Sequence, residues 1–172
     1  MIEKTTMQLV LEYFFTFPSQ QIHFRELSRK MRLSMPAIIA ALKKLESEKL
    51  VNITRGKALT TVKTNGDSKQ FIQLKRVYNL EQLYLSGIVD KLSRALGTPA
   101  AIVCFGSYSR GEDTETSDID IAVMGGNEKS ISLNEFEKRL NRSLSLHQVT
   151  MGKISPEFRA NLYNGIVLEG AL

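Results

Sequence analysis

The chain has 172 residues, 42% hydrophobic and 24% charged, a globular balance that excludes global disorder and fibrous classes. The length holds a sizeable core, as one long domain or two short ones. Its net charge of +5 is unevenly spread. Residues 1–65 hold eleven Lys/Arg against five Asp/Glu, 66–96 five against three, and 97–172 seven against ten. A basic first third favours phosphate polyanions, and an acidic last part with clustered carboxylates can hold a metal. No run reaches the roughly 18 apolar residues of a membrane helix. No basic segment leads into a cleavable apolar stretch, so neither a signal peptide nor a membrane partner is expected. The single cysteine, Cys104, excludes an intramolecular disulfide and a cysteine-based metal cluster, and fits a reducing, cytoplasmic setting.

In chain order, Met7, Val10, Leu11 and Phe14 mark one face of a first helix, which Pro18 ends. A second helix starts near Phe24, with Leu27 and Met31 one turn apart and His23 as a boundary histidine. Ser34 is a good N-cap for a third helix, with Pro36 in its first turn and Ile38, Leu42 and Leu45 inward. Val51–Thr54 and Leu59–Lys63 read as strands around the turn Arg55-Gly56-Lys57. Asn65-Gly66-Asp67 is a turn and a boundary. Beyond it Phe71, Leu74 and Tyr78, then Tyr84, Ile88 and Leu92, mark two helical faces with a break at Asn79. Apolar residues on more than one face admit a neighbour domain, a homodimer or ordinary packing.

Three helices, a short break and a hairpin resemble a winged helix-turn-helix, carried by "HFRELSRKMRLSMPAIIAALKKLESEKLV". The resemblance implies double-stranded DNA as partner, with the third helix in the major groove. Ser34, Met35, Ala37 and Ala40 would face the bases, where none is an efficient reader. Arg29, Lys30, Arg32, Lys43 and Lys44 would surround that helix, with Arg55 and Lys57 at the wing tip. The competing reading is a solvated basic face on a protein-interaction module.

Ala100–Phe105 is an apolar run, a buried strand that leads directly into Gly106-Ser107. A second strand follows Ser117-Asp118. Period 2 puts Asp118 and Asp120 on one face and Ile119 and Ile121 on the other. Two such carboxylates make a hard oxygen site suited to Mg²⁺. Gly106 permits close backbone approach. Ser107, at the start of a helix or turn, favours an anion such as phosphate, with Arg110 within reach. A P-loop is excluded, because Glu112 follows Gly111 where Lys-Ser/Thr would be needed.

Gly106-Ser107, ten residues, then Asp118-Ile119-Asp120 resembles the motif of the minimal nucleotidyltransferases of the polymerase-β-like superfamily. That resemblance covers about residues 98–170. It implies that Gly106 and Ser107 bind a nucleoside triphosphate, with ATP favoured and Arg110 in reach of the same phosphates. It also implies that Asp118 and Asp120 bind Mg²⁺ and carry catalysis. Relatives in toxin–antitoxin pairs adenylylate a partner protein. The family commonly has a third carboxylate on the next strand. Here that strand, about Leu144–Thr150, offers Ser145 and His147 on one face and no acid. Leu133, Phe136 and Leu140 mark the helix before it, and Pro156-Glu157 starts another.

The expected architecture is therefore α+β. It comprises a winged helix-turn-helix at 1–65, a helical connector at 66–97 and a small mixed-sheet nucleotidyltransferase-like domain at 98–172. The expected function is a DNA-binding protein that binds NTP–Mg²⁺ and transfers a nucleotidyl group, AMP foremost, to a protein or other hydroxyl. The alternative is a transcriptional regulator whose catalytically weak domain senses nucleotide.

Overall fold

The first helix, α1 (Thr6–Thr16), opens on a capping box between Thr5 and Gln8, which satisfies two of its otherwise orphaned backbone donors. Val10, Phe14 and Phe15 are buried on its inner side. A two-residue strand, β1 (Ile22–His23), leads into α2 (Phe24–Met31). That helix ends on Arg32, in the left-handed conformation at φ 54°. Ser34 caps α3 (Met35–Ser47) by accepting the Ala37 N–H, with Pro36 in the first turn. Its buried face is Ile38, Ala41, Leu42 and Leu45, each large side chain contributing about 1.5–3 kcal/mol. The hairpin β2 (Val51–Arg55) and β3 (Thr60–Thr64) joins β1 in an antiparallel sheet of order β1-β3-β2. Its inward residues Ile22, Val51 and Val62 complete the core.

The computed structural model describes residues 4–56, 59–127 and 129–172. Lys57 lies outside them. The chain divides into two units, Met1–Ile72 and Gln73–Leu172, and has a mixed α+β composition.

The expected break at Asn79 is absent: α4 runs unbroken from Lys69 to Ser86. Asn79 is buried, and its carboxamide donates to Tyr108 O and Asp113 Oδ1, so it is held by tertiary partners and acts as no breaker. The break falls at Gly87, whose φ of 79° suits a residue without Cβ. The inward face also differs from expectation. Lys75, Asn79, Leu83 and Ser86 are buried, whereas Leu74, Val77, Tyr84 and Leu85 are exposed.

In the second unit, α5 (Ile88–Ala95) precedes β4 (Ala101–Phe105), α6 (Gly106–Arg110), β5 (Ile119–Met124), α7 (Asn134–Leu140), β6 (Leu144–Val149), α8 (Pro156–Tyr163) and β7 (Ile166–Gly170). The sheet order is β6-β5-β4-β7. The β5–β6 pair is parallel, and β4 runs antiparallel to both neighbours. One sheet face, with Ile102, Cys104, Ile121 and Val123, meets Leu83, Ile88, Leu92 and Phe136. The other, with Val103, Phe105 and Ala122, meets Leu162 and Phe158 of α8. Residues buried on both sides explain why β4 reads as a continuous apolar run.

Burial, with Asp120 adding to it, pushes the Cys104 thiol up to about 12 from 9.0. A raised folded value means that its stabilising contribution is complete below pH 9.0. That contribution is lost as pH rises from there towards about 12. Native protein at pH 8 is expected to resist iodoacetamide, while denatured protein takes up one label by mass spectrometry. Rapid labelling of the folded chain would contradict this burial.

Candidate functional site

β4 ends where the chemistry begins. Its last residue, Phe105, pairs with Asp120 of β5, so the next residue, Gly106, lies against the Asp120 carboxylate. A Cβ on Gly106 would stand 2.5 Å from Asp120 Oδ2, and Gly106 has φ of 73°. Glycine is therefore required twice, by the backbone and by the carboxylate. Gly106→Ala is expected to cost about 1–2 kcal/mol from the left-handed backbone alone and to displace Asp120 as well. Unchanged denaturant midpoints in that variant would refute the close approach.

From Gly106 the chain turns into the five-residue α6, which ends on Gly111 at φ 75°. Ser109 Oγ donates to Gly106 O at 2.8 Å, fixing the turn. Ser107 is half-buried at its start. Arg110 is exposed and its Nε donates to Glu112 Oε2 at 2.7 Å. An exposed pair of this kind is worth about 0–1 kcal/mol, so it holds Arg110 weakly. Asp118 is exposed just before β5, and Asp120 is half-buried two residues on. Ile119 and Ile121 enter the opposite core. The alternation read from the sequence thus gathers Gly106, Ser107, Asp118 and Asp120 at one end of the sheet.

On β6, Ser145 is in register with Asp120 and His147 with Ala122. His147 Nε2 stands 3.6 Å from Asp120 Oδ1. Its ring lies 5.4 Å from that of Phe105 and 5.7 Å from that of Phe158. Among the described residues no three His, Cys, Asp or Glu side chains are gathered closely enough to hold a metal alone. Two hard carboxylates still fit Mg²⁺, which typically binds one or two carboxylates and takes its other ligands from substrate phosphates and water.

Beneath α6 lies a buried polar cluster that the sequence pattern does not announce. Asp113 Oδ1 accepts from Lys75 Nζ and from Asn79 Nδ2, each at 2.7 Å. Lys75 also donates to Asp113 O. Arg142 Nη2 is 3.5 Å from Asp113 Oδ2. Burial holds the Lys75 ammonium below its ordinary value, and Asp113 opposes that shift. The spacing Phe71, Lys75, Asn79, one turn apart on a face that continues to Leu83, is the only signal of it in the sequence.

In the first unit, Arg29, Lys30 and Arg32 are exposed around the end of α2, and Lys43 and Lys44 along α3. Ser34 spends its hydroxyl on capping α3. Arg55 is exposed and bonds Glu46 Oε2 at 3.0 Å. A cavity of about 360 Å³ beside α3 is lined by residues that include Met35, Ile39, Lys43, Ile53 and Arg55.

A glycine-serine turn thus stands at one end of the sheet against Asp120 of β5, with Asp118 just before that strand. Residues 85–168, which contain the whole constellation, match the family model of the nucleotidyltransferase domain. No curated protein matches the chain. The match begins beyond Lys75 and Asn79, so the buried cluster draws half its members from outside it. Nucleotidyl transfer from a nucleoside triphosphate, with a divalent cation, is what such a domain implies. Among the described residues no helix is long and apolar enough to cross a membrane.

Proposed function

We propose that the second unit binds ATP with Mg²⁺ and transfers AMP to a hydroxyl group of a protein or other acceptor, and that the first unit binds double-stranded DNA. The observation that carries the nucleotide part is the close approach of Asp120 to the bare backbone of Gly106, with Asp118 just before the same strand. In this reading the backbone N–H groups at Gly106 and Ser107 receive phosphate oxygens. Asp118 and Asp120 hold the cation, which neutralises triphosphate charge and orients the displacement at phosphorus. Arg110 exchanges Glu112 for a phosphate. Asp120 keeps its position because Gly106 leaves room for it. Labelled ATP, Mg²⁺ and a lysate of the host should yield a covalently labelled acceptor. Absence of both label and metal-dependent ATP binding would defeat the proposal.

A second reading has its own support: β6 supplies Ser145 and His147 where the resemblance calls for an acid. General-base help is worth about 10²–10⁴-fold in rate. In this reading the domain turns over slowly and serves a regulator as a nucleotide sensor.

The DNA part rests on the exposed cations Arg29, Lys30, Arg32, Lys43, Lys44 and Arg55, which suit binding to phosphates. Full-length protein should bind duplex DNA with steep salt dependence. Lys43→Ala with Lys44→Ala should weaken binding on all sequences, and lower the salt slope by about one for each phosphate left unneutralised. No binding at low salt would favour a protein-interaction module.

A further inference from the structure

His147 is held by more than its strand. Phe105 and Phe158, themselves in edge contact, pack against its imidazole, and its Nε2 is shielded from solvent and makes no hydrogen bond. Asp120 Oδ1 stands 3.6 Å from that nitrogen. A shielded nitrogen without a hydrogen-bond partner calls for an explanation, and a role as a metal ligand is one. Two donors that share one cation at about 2.1 Å each stand between about 3.0 Å apart at a right angle and about 4.2 Å in line. The observed separation falls in that interval, so the pair is spaced to share an ion.

We propose that His147 Nε2 ligates the cation that accompanies the nucleotide, together with Asp120 Oδ1, and that this nitrogen makes the site favour Mn²⁺ over Mg²⁺. The inference rests on the nucleotide-binding reading above and adds the identity of the metal. Mg²⁺ demands a near-ideal oxygen octahedron and dehydrates reluctantly. Imidazole suits transition metals better than it suits Mg²⁺. Mn²⁺ accepts both the carboxylates and the imidazole. His147 Nε2 and Asp120 Oδ1 then form a two-donor protein set, and phosphate oxygens and water complete the shell.

The chain has two histidines, His23 and His147, which makes the test selective. Full-length protein with ¹⁵N-labelled histidine is loaded with Mn²⁺ and α,β-methylene-ATP and studied by electron spin-echo modulation. A directly bonded ¹⁵N is expected, absent in His147→Gln and retained in His23→Gln. The nucleotide carries only ¹⁴N, so it cannot mimic the signal. In parallel, the ratio of Mn²⁺-supported to Mg²⁺-supported analogue affinity is measured for the parent and for His147→Asp. The ratio should fall by more than about tenfold, the low end for losing even an outer-shell partner of a metal. Binding of the Mn²⁺ complex without histidine coupling, and with an unchanged ratio, would overturn the inference and leave the nucleotide reading standing. Failure of the parent to bind the analogue with either cation would remove both.

Discussion

Asp118→Asn combined with Asp120→Asn is expected to abolish metal-dependent nucleotide binding while leaving the fold intact. Asparagine keeps the shape and removes both negative charges. A cation at the sheet end then loses its two hard ligands, and the triphosphate faces the site with its charge unscreened. Charge stabilisation by a bound metal is worth several kcal/mol, and each 1.36 kcal/mol is about tenfold in rate. Any transfer activity should therefore fall by about 10³-fold or more. The fold should tolerate the change, because Asp118 is exposed and the Asp120 side chain is 32% exposed. Removing two neighbouring like charges also relieves repulsion. Ser107→Ala should do far less, since the backbone N–H groups remain. Calorimetric titration of ATP with Mg²⁺, and again with chelator, checks this beside a thermal melt. Parent-like binding of ATP–Mg²⁺ by the double variant would mean that the site lies elsewhere.

The parts of this site that were legible in the sequence share a cause: each depends on residues close together in the chain. The apolar run of β4, the Gly106-Ser107 turn and the alternation from Asp118 to Val123 are local patterns, and local geometry decides where they point. The same holds for Ser34 and Pro36 at the start of α3. The three-helix order of the first unit follows from 3.6-residue periodicity and caps. What escaped depends on distant partners. Asn79 reads as a breaker, and Lys75 carries no signal of its own, because nothing near them in the chain says otherwise. They are buried because Asp113, 38 and 34 residues away, meets them. The period-2 pattern gave the face of His147 but not its packing against Phe105 and Phe158, since Phe158 arrives from α8. The two-residue β1 is too short for any period to register, and its existence follows from pairing with Thr61 and Val62. On α4, Leu74 and Tyr84 looked like core by spacing, yet they are exposed. A polar cluster had claimed the inward face.

That cluster yields the second large effect: Asp113→Ala is expected to destabilise the second unit by about 3–5 kcal/mol, the cost of breaking a buried ion pair from one side. The Asp113 and Lys75 side chains are each 1% exposed and that of Arg142 is 3%. Removing the carboxylate takes the opposing charge from buried Lys75 and Arg142 and an acceptor from Asn79. For a unit of this size each kcal/mol shifts the midpoint by roughly 4–8 °C, so the variant should melt far below the parent. The pH dependence gives an independent sign. A lysine whose folded pKa is lowered binds fewer protons folded than unfolded between that value and 10.5, so stability rises with pH across that window. Without Asp113 the value falls further, and the window widens downward. The variant should therefore recover more stability on raising the pH than the parent does. Adding Lys75→Met should restore part of the loss at neutral pH, because one buried charge without its counter-charge disappears and apolar replacements of buried ion pairs are often neutral. The consequence reaches the site, since Asp113 anchors the segment between Gly111 and Asp118. At temperatures where Asp113→Ala remains folded, its affinity for ATP with Mg²⁺ should also drop, and Lys75→Met should not rescue that drop. Urea midpoints from pH 6 to 10 test the stability claim. A variant that unfolds with the parent at every pH would show that Asp113 is dispensable to the buried cations, and that other groups hold them.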